Sequence, residues 1–171
     1  MTQTFDIIYF DMDGVLADFE QGVREFCGMD PPAWGAPDHD EKDEIMFERI
    51  SKIPNFYYKL KPIDGTMEIF NELVSRYGKK VEILTGIPKP HKNVPTASED
   101  KVAWVKNCIP YDVAVHTVLR REKMGFANGP GTILIDDMQK NIDEWESAGG
   151  TGILFTTPEA LRTRLSDMGI L

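Results

Sequence analysis

Residues 5–14 read FDIIYFDMDG: six apolar-rich positions, Phe5 to Phe10, broken only by Asp6, that stop abruptly at Asp11-Met12-Asp13-Gly14. A short, nearly continuous apolar run bounded by a turn signal is the pattern of a strand buried on both faces, and such strands belong to parallel sheets. The break places Asp11 and Asp13 in a polar loop at the strand's C-terminal end. Runs of the same form recur at 81–84 before Thr85-Gly86, near 113–115, at 132–135 before Asp136-Asp137, and at 152–155 before Thr156-Thr157. About five strands are expected.

Helical patterns lie between these runs. Met67, Phe70, Leu73, Val74 and Tyr77 recur at three- and four-residue intervals and stop at Gly78, a helix C-terminal signal. Ser98 is read as the cap of a helix carrying Val102, Trp104 and Val105, while Ile142 and Trp145 mark a short helix ending at Gly149-Gly150. Thr157-Pro158-Glu159 opens a last helix with Leu161, Leu165 and Met168 on its apolar face. Alternating strands and helices predict an α/β, three-layer Rossmann-like fold, with a parallel sheet between helices. Residues 18–61 interrupt the alternation with Pro31-Pro32, Pro37, the acidic run 38–44 and an apolar helical stretch over 45–53. They read as a small helical cap inserted after the first strand, leaving 1–17 and 62–171 as the core. A cap there would lie over the strand ends, where open α/β sheets bind ligands.

The length of 171 residues fits one compact domain with such an insertion. Asp and Glu number 28 against 19 Lys and Arg, a net charge of −9 that disfavours non-specific binding to nucleic acid or to an anionic membrane. An anionic ligand would therefore need a local basic pocket. Cys27 and Cys108 are too few for a disulfide framework or a zinc site, and they suggest a reducing setting. The stretch MTQTFDIIYF has no positive leader, and no segment approaches the ~18 apolar residues of a membrane helix. A soluble, cytoplasmic protein is expected.

Asp11, Asp13, Thr85, Asp136 and Asp137 all fall at expected C-terminal ends of strands, so a doubly wound fold would gather them in one crevice. Any one of these features alone reads more readily as a turn or a cap. Jointly they point to chemistry. Two carboxylates ~4 Å apart at an effective dielectric of ~20 repel by about 4 kcal/mol, so a cluster of three or four calls for a cation. Oxygen ligands of this kind suit Mg²⁺. His39, His91 and His116 show no metal-ligand spacing.

With DMDGVLADF at 11–19, ILTG at 83–86, Lys123 within RREKMG and ILIDD at 133–137, the chain resembles the haloacid dehalogenase (HAD) superfamily. The order DMDGVLADF, NFYYKLKPIDG, ILTG, KVAWV, LRREK, ILIDD and ILF is similar to its 5′(3′)-deoxyribonucleotidase branch. The resemblance implies a Mg²⁺-dependent phosphomonoesterase that dephosphorylates nucleoside monophosphates. Asp11 would be the nucleophile, forming an aspartyl-phosphate, and Asp13 the general acid and base. Mg²⁺ would be held by the Asp11 carboxylate, the Asp13 backbone carbonyl and Asp137, with Asp136 nearby. Thr85 and the Gly86 N–H would hold phosphoryl oxygens, and Lys123 would neutralise charge on Asp11 and the transferring group. In that branch Ser usually follows the Thr, where this chain has Gly86.

Phe19 is read as a pocket residue that could stack on a nucleobase, the aromatics at 56–58 as lining the cap face, and Trp34 as cap core. Lys101, Arg120 and Arg121 are read as surface charges at the rim. The expected partner is a small phosphomonoester, taken to be a nucleotide, with no nucleic-acid polymer and no membrane; a homodimer stands as an open expectation. A HAD phosphatase of sugar phosphates or other small metabolites is the alternative enzyme. A non-catalytic nucleotide-binding regulator is disfavoured because a binder has no need of Asp13.

Overall fold

The computed structural model describes residues 4–171; the first three residues, included in the leader reading above, lie outside it. Five parallel strands form one sheet in the order β3-β2-β1-β4-β5: β1 Ile7–Phe10, β2 Val81–Ile87, β3 Val115–Leu119, β4 Thr132–Asp136 and β5 Thr151–Leu154. The expected runs are recovered with shifted ends, β2 continuing through Thr85 and Gly86, and the third strand starting where its run had been read to end. Strand order reverses at β1, which pairs with β2 on one side and β4 on the other, and a crevice opens at such a switch point. Phe10 lies opposite Ile83 of β2 and Ile135 of β4, so Asp11 and Asp136 leave the sheet side by side.

Alternate side chains of β1 feed two cores. Ile8 and Phe10 join Phe70, Leu73, Trp104, Leu161 and Leu165 on one face, and Tyr9 joins Ile142 and Trp145 on the other. Helices α3 (Asp64–Tyr77), α4 (Ala97–Cys108) and α6 (Pro158–Asp167) supply the first face, and α5 (Gln139–Ser147) the second. The sheet is thus covered on both sides, as the strand composition requires. Helix α3 stops at Gly78, whose φ of +57° suits a residue without a Cβ. Helix α6 starts at Thr157, whose side chain accepts from the Ala160 N–H. Ser98 is not a cap: α4 begins after Thr96, and the Ser98 hydroxyl lies 2.6 Å from that of Thr117 on β3.

Residues 18–61 form α1 (Phe19–Gly22), a π-helical turn Val23–Cys27, α2 (His39–Ser51) and a 3₁₀ turn Tyr57–Lys59. Helix α2 starts within the acidic run rather than after it, where Asp40 and Glu41 suit the positive end of the helix. The insert has no core of its own: Val23, Met46, Ile50, Phe56 and Tyr57 join the cluster beneath β1. Trp104 Nε1 donates to Leu60 O at 2.7 Å, and Asn55 Nδ2 to Asp100 Oδ1 at 2.8 Å, fastening the insert to α4. Trp34, read as insert core, is instead 57% exposed, because its loop of prolines and glycine packs it against His39 alone among the aromatic rings. No helix of the described residues is long and apolar enough to cross a membrane.

Candidate active site

The turn Asp11-Met12-Asp13-Gly14 follows β1 directly. The Asp11 N–H donates to Ile135 O at 2.9 Å, which continues the β1–β4 pairing one residue past the strand and fixes the carboxylate over the sheet edge. Gly14 has φ +80°, and a Cβ there would run into the Asp137 carboxylate, so the turn needs glycine for its conformation and its space.

Lys123, carried on the 3₁₀ turn Arg120–Phe126, is buried and donates from Nζ to Asp11 Oδ1 and Asp136 Oδ2, both at 2.8 Å. Asp136 is fully buried and accepts twice more: Oδ1 from the Met138 N–H at 2.9 Å, and Oδ2 from Asn141 Nδ2 at 3.0 Å. Arg120 is spent one step further out, on Asn141 Oδ1 and Glu144, and Arg121 is exposed. Asp11, Asp136 and Asp137 each present an oxygen within 4.8 Å of the others. One lysine cannot balance three carboxylates. Burial first, then Asp136, pushes Asp11 up to about 6 against the lowering effect of Lys123. Burial of its carboxyl, followed by Asp11, Asp136 and Asp13, pushes Asp137 up to about 8, although the residue as a whole sits at the exposed mouth. Its carboxylate pairs hold Lys123 above its ordinary value despite burial.

On the β2 side, Thr85 is buried and Gly86 half-buried. Both are tied to Lys101, which had been read as a rim charge and is fully buried instead. Its Nζ donates to Asp13 Oδ2 at 2.7 Å, Thr85 Oγ1 at 2.9 Å and Gly86 O at 2.5 Å. Asp13 Oδ1 is buried without a partner. The missed signal was helical phase: Ala97, Asp100, Lys101, Trp104 and Val105 form the buried stripe of α4, so Lys101 belongs to it and Val102 does not.

Phe19, half-buried at the start of the insert, lies over Tyr57 with centroids 6.3 Å apart and planes 16° from parallel, and meets the edge of Phe56 at 5.9 Å. The Tyr57 ring also stands 4.5 Å from Lys101 Nζ. Beyond Gly86, a cleft of about 280 Å³ opens between Ile87, Lys89, Asn93, Val94 and Ser98. Lys92 bridges from this loop to Asp43 and Glu44 of α2, at 2.6 Å each.

The parallel α/β fold is shared with solved hydrolases. A HAD-superfamily hydrolase from Ehrlichia chaffeensis matches with a TM-score of 0.53 at 12% identity, over 98% of each chain. A hydrolase from Streptococcus pneumoniae TIGR4 matches with a TM-score of 0.53 at 15% identity, over 95% of this chain and 99% of that one. Residues 5–166 match the family described as "5′ nucleotidase, deoxy (Pyrimidine), cytosolic type C protein", and the chain belongs to that family. The human mitochondrial 5′(3′)-deoxyribonucleotidase is 30% identical over 164 residues, 87% of this chain and 69% of the relative. A putative 5′(3′)-deoxyribonucleotidase of Bordetella pertussis is 28% identical, over 77% of this chain and 73% of its own.

Proposed function

We propose that the protein is a Mg²⁺-dependent phosphomonoesterase that dephosphorylates nucleoside monophosphates, a 5′(3′)-deoxyribonucleotidase working through an aspartyl-phosphate on Asp11. The observation that carries the reading is the buried Asp11–Lys123–Asp136 group at the ends of adjacent strands, with Asp13 two residues on and Asp137 at the mouth. Its excess of buried negative charge is costly as architecture alone. A cation completes it.

Hard carboxylate oxygens at this spacing fit Mg²⁺, which keeps several waters and commonly takes one or two carboxylates. Asp11 and Asp137 would hold it with the Asp13 carbonyl, Asp136 being committed to Lys123, Asn141 and the Met138 N–H. Bound there, it would neutralise the carboxylates and draw charge from the phosphoryl oxygens. In the first step an Asp11 carboxylate oxygen attacks phosphorus as the ester P–O bond breaks, and Asp13 gives its proton to the departing oxygen. In the second, water attacks phosphorus and yields a proton to Asp13, and the Asp11–phosphorus bond breaks to release phosphate. Lys123 offsets charge on Asp11 and the transferring group, while the Thr85 hydroxyl and Gly86 N–H receive phosphoryl oxygens.

Residues 18–61 act in this reading as a cap over the strand ends, with Phe19 stacking on the base against Tyr57 and Phe56. A cytoplasmic setting goes with it, in keeping with unpaired Cys27 and Cys108. The test is phosphate release from nucleoside, deoxynucleoside and sugar monophosphates, with Mg²⁺ and with chelator, beside Asp11→Asn. Metal-dependent release from nucleotides, lowered at least ~10³-fold by the substitution, is expected, since losing a nucleophile removes the chemical step. Undiminished release by Asp11→Asn would sink the mechanism, and release confined to sugar phosphates would overturn the substrate.

A further inference from the structure

The geometry points to Lys101 as a positioning residue that holds the Asp13 carboxylate in the orientation its proton transfers require. An ammonium has three donors. Those of Lys101 go to Asp13 Oδ2, Thr85 Oγ1 and Gly86 O, so none remains for a phosphoryl group. That separates it from Lys123, whose two protein acceptors leave one donor over. The β2 contacts anchor the ammonium, the Tyr57 ring covers it from the insert, and the anchored ammonium engages a single carboxylate oxygen. Asp13 Oδ2 is thereby locked as an acceptor. The carboxylate that must give a proton to the leaving group and take one from water is held in a single orientation, two residues beyond Asp11. A chain of contact thus runs from the end of β2 through α4 to the acid and base, and Lys101 acts through Asp13 without touching substrate.

The inference rests on Asp13 being the acid and base, and the test separates the two claims. Lys101→Met keeps most of the apolar stem and removes the three donors. It is compared with wild type on a deoxynucleoside 5′-monophosphate, whose alkoxide needs a proton to leave, and on p-nitrophenyl phosphate, whose phenolate leaves without one. General acid catalysis contributes about 10²–10⁴-fold, so kcat on the nucleotide should fall at least ~10-fold more than kcat on the aryl ester. Equal losses on both esters would mean that Lys101 only supports the fold. Because Lys101→Met leaves the half-buried Asp13 carboxylate without its cation, Asp13→Asn/Lys101→Met is measured beside Asp13→Asn as a folded reference. Once Asp13 cannot carry a proton, removal of Lys101 should change either rate by less than ~3-fold, since coupled residues are non-additive. A further ~10-fold loss in that background would overturn the assignment on the same ground of additivity. A wild-type protein that turns over neither ester would overturn the phosphatase reading itself, and this inference with it.

Discussion

On the β1–β4 side of the crevice Lys123 meets Asp11 and Asp136, with Asp137 close behind; on the β1–β2 side Lys101 meets Asp13 and two neutral oxygens. Both lysines are buried and both hold a carboxylate of the same four-residue turn. The first side carries one cation against three carboxylates, and the burial of Asp11 and Asp136 weakens the screening of the surplus charge. The second is balanced, with every donor used. A surplus of negative charge prepares a site for a cation, whereas a balanced, saturated contact holds a side chain still. Lys123→Met is the largest perturbation of the contrast, because removing one partner of a buried pair typically costs 3–5 kcal/mol, here with two carboxylates left facing each other. At about 2–4 °C per kcal/mol for a chain of this size, the melting temperature in chelator should fall by about 10 °C. Added Mg²⁺ should restore part of it, and kcat should drop at least ~10²-fold, the scale of losing one preorganised charge donor. A variant that melts with wild type in chelator would remove the charge-surplus account.

The two sides also differed in how far they could be read in advance. Asp11, Asp136 and Asp137 follow apolar runs that end abruptly, so the strand ends and their crevice were legible from periodicity, and Lys123 from the motif around it. Lys101 was hidden by its neighbours: in EDKVAWV it sits beside Asp100 and reads as solvated surface. Only the phase set by Ala97, Trp104 and Val105 puts it on the buried face, and Val102 offered a competing phase. The insert was legible as an interruption but not in its packing, because its buried residues complete the main core instead of one of their own. Trp34 shows the same limit, since a large ring in a loop carries no periodic signal.

A smaller test of the contrast varies pH and metal together. Asp11 and Asp137 are raised in the folded protein, to about 6 and about 8, by burial and by their neighbours. A folded carboxylate raised above its unfolded value keeps a proton that the unfolded chain has already lost. Stability of the metal-free protein therefore falls as pH rises from about 4 through about 8, the window bounded by the ordinary carboxylate value and these raised ones. Lys123 is raised by its pairs, so its contribution is present throughout that window and is lost only at more alkaline pH. Mg²⁺ binds the ionised carboxylates and should flatten the slope. The gap between melting curves in Mg²⁺ and in chelator should widen by a few degrees between pH 5.5 and 8.5, at about 2–4 °C per kcal/mol and with solvent at the mouth reducing the share of Asp137. Parallel melting temperatures across that range would mean that the carboxylates do not share a cation.

The gentlest perturbation touches the balanced side. Gly86 follows Thr85 one residue before the end of β2, gives its carbonyl to Lys101, and has room for a side chain: a Cβ would meet Arg120 atoms no closer than 3.7 Å. Gly86→Ser should therefore fold as the parent does while adding a hydroxyl near the end of β2, on the Arg120 side of the strand rather than the Thr85 side. If the new hydroxyl reaches the phosphoryl group from there, its hydrogen bond forms alike in the ground and transition states. Such a change lowers KM and leaves kcat in place. A hydrogen bond to a charged group is worth about 1.5–3 kcal/mol at best, and an imperfect reach from the strand end should reduce this to a KM lower by about 3–10-fold. The effect should be the same for a nucleotide and for an aryl phosphate, because both present the same phosphoryl oxygens. A fall in KM for both with constant kcat would assign phosphate binding to the end of β2 and leave proton handling to the Lys101–Asp13 pair. A change in kcat confined to the nucleotide would instead mean that the β2 end and Asp13 move together, and the division of labour between the two sides of the crevice would fail.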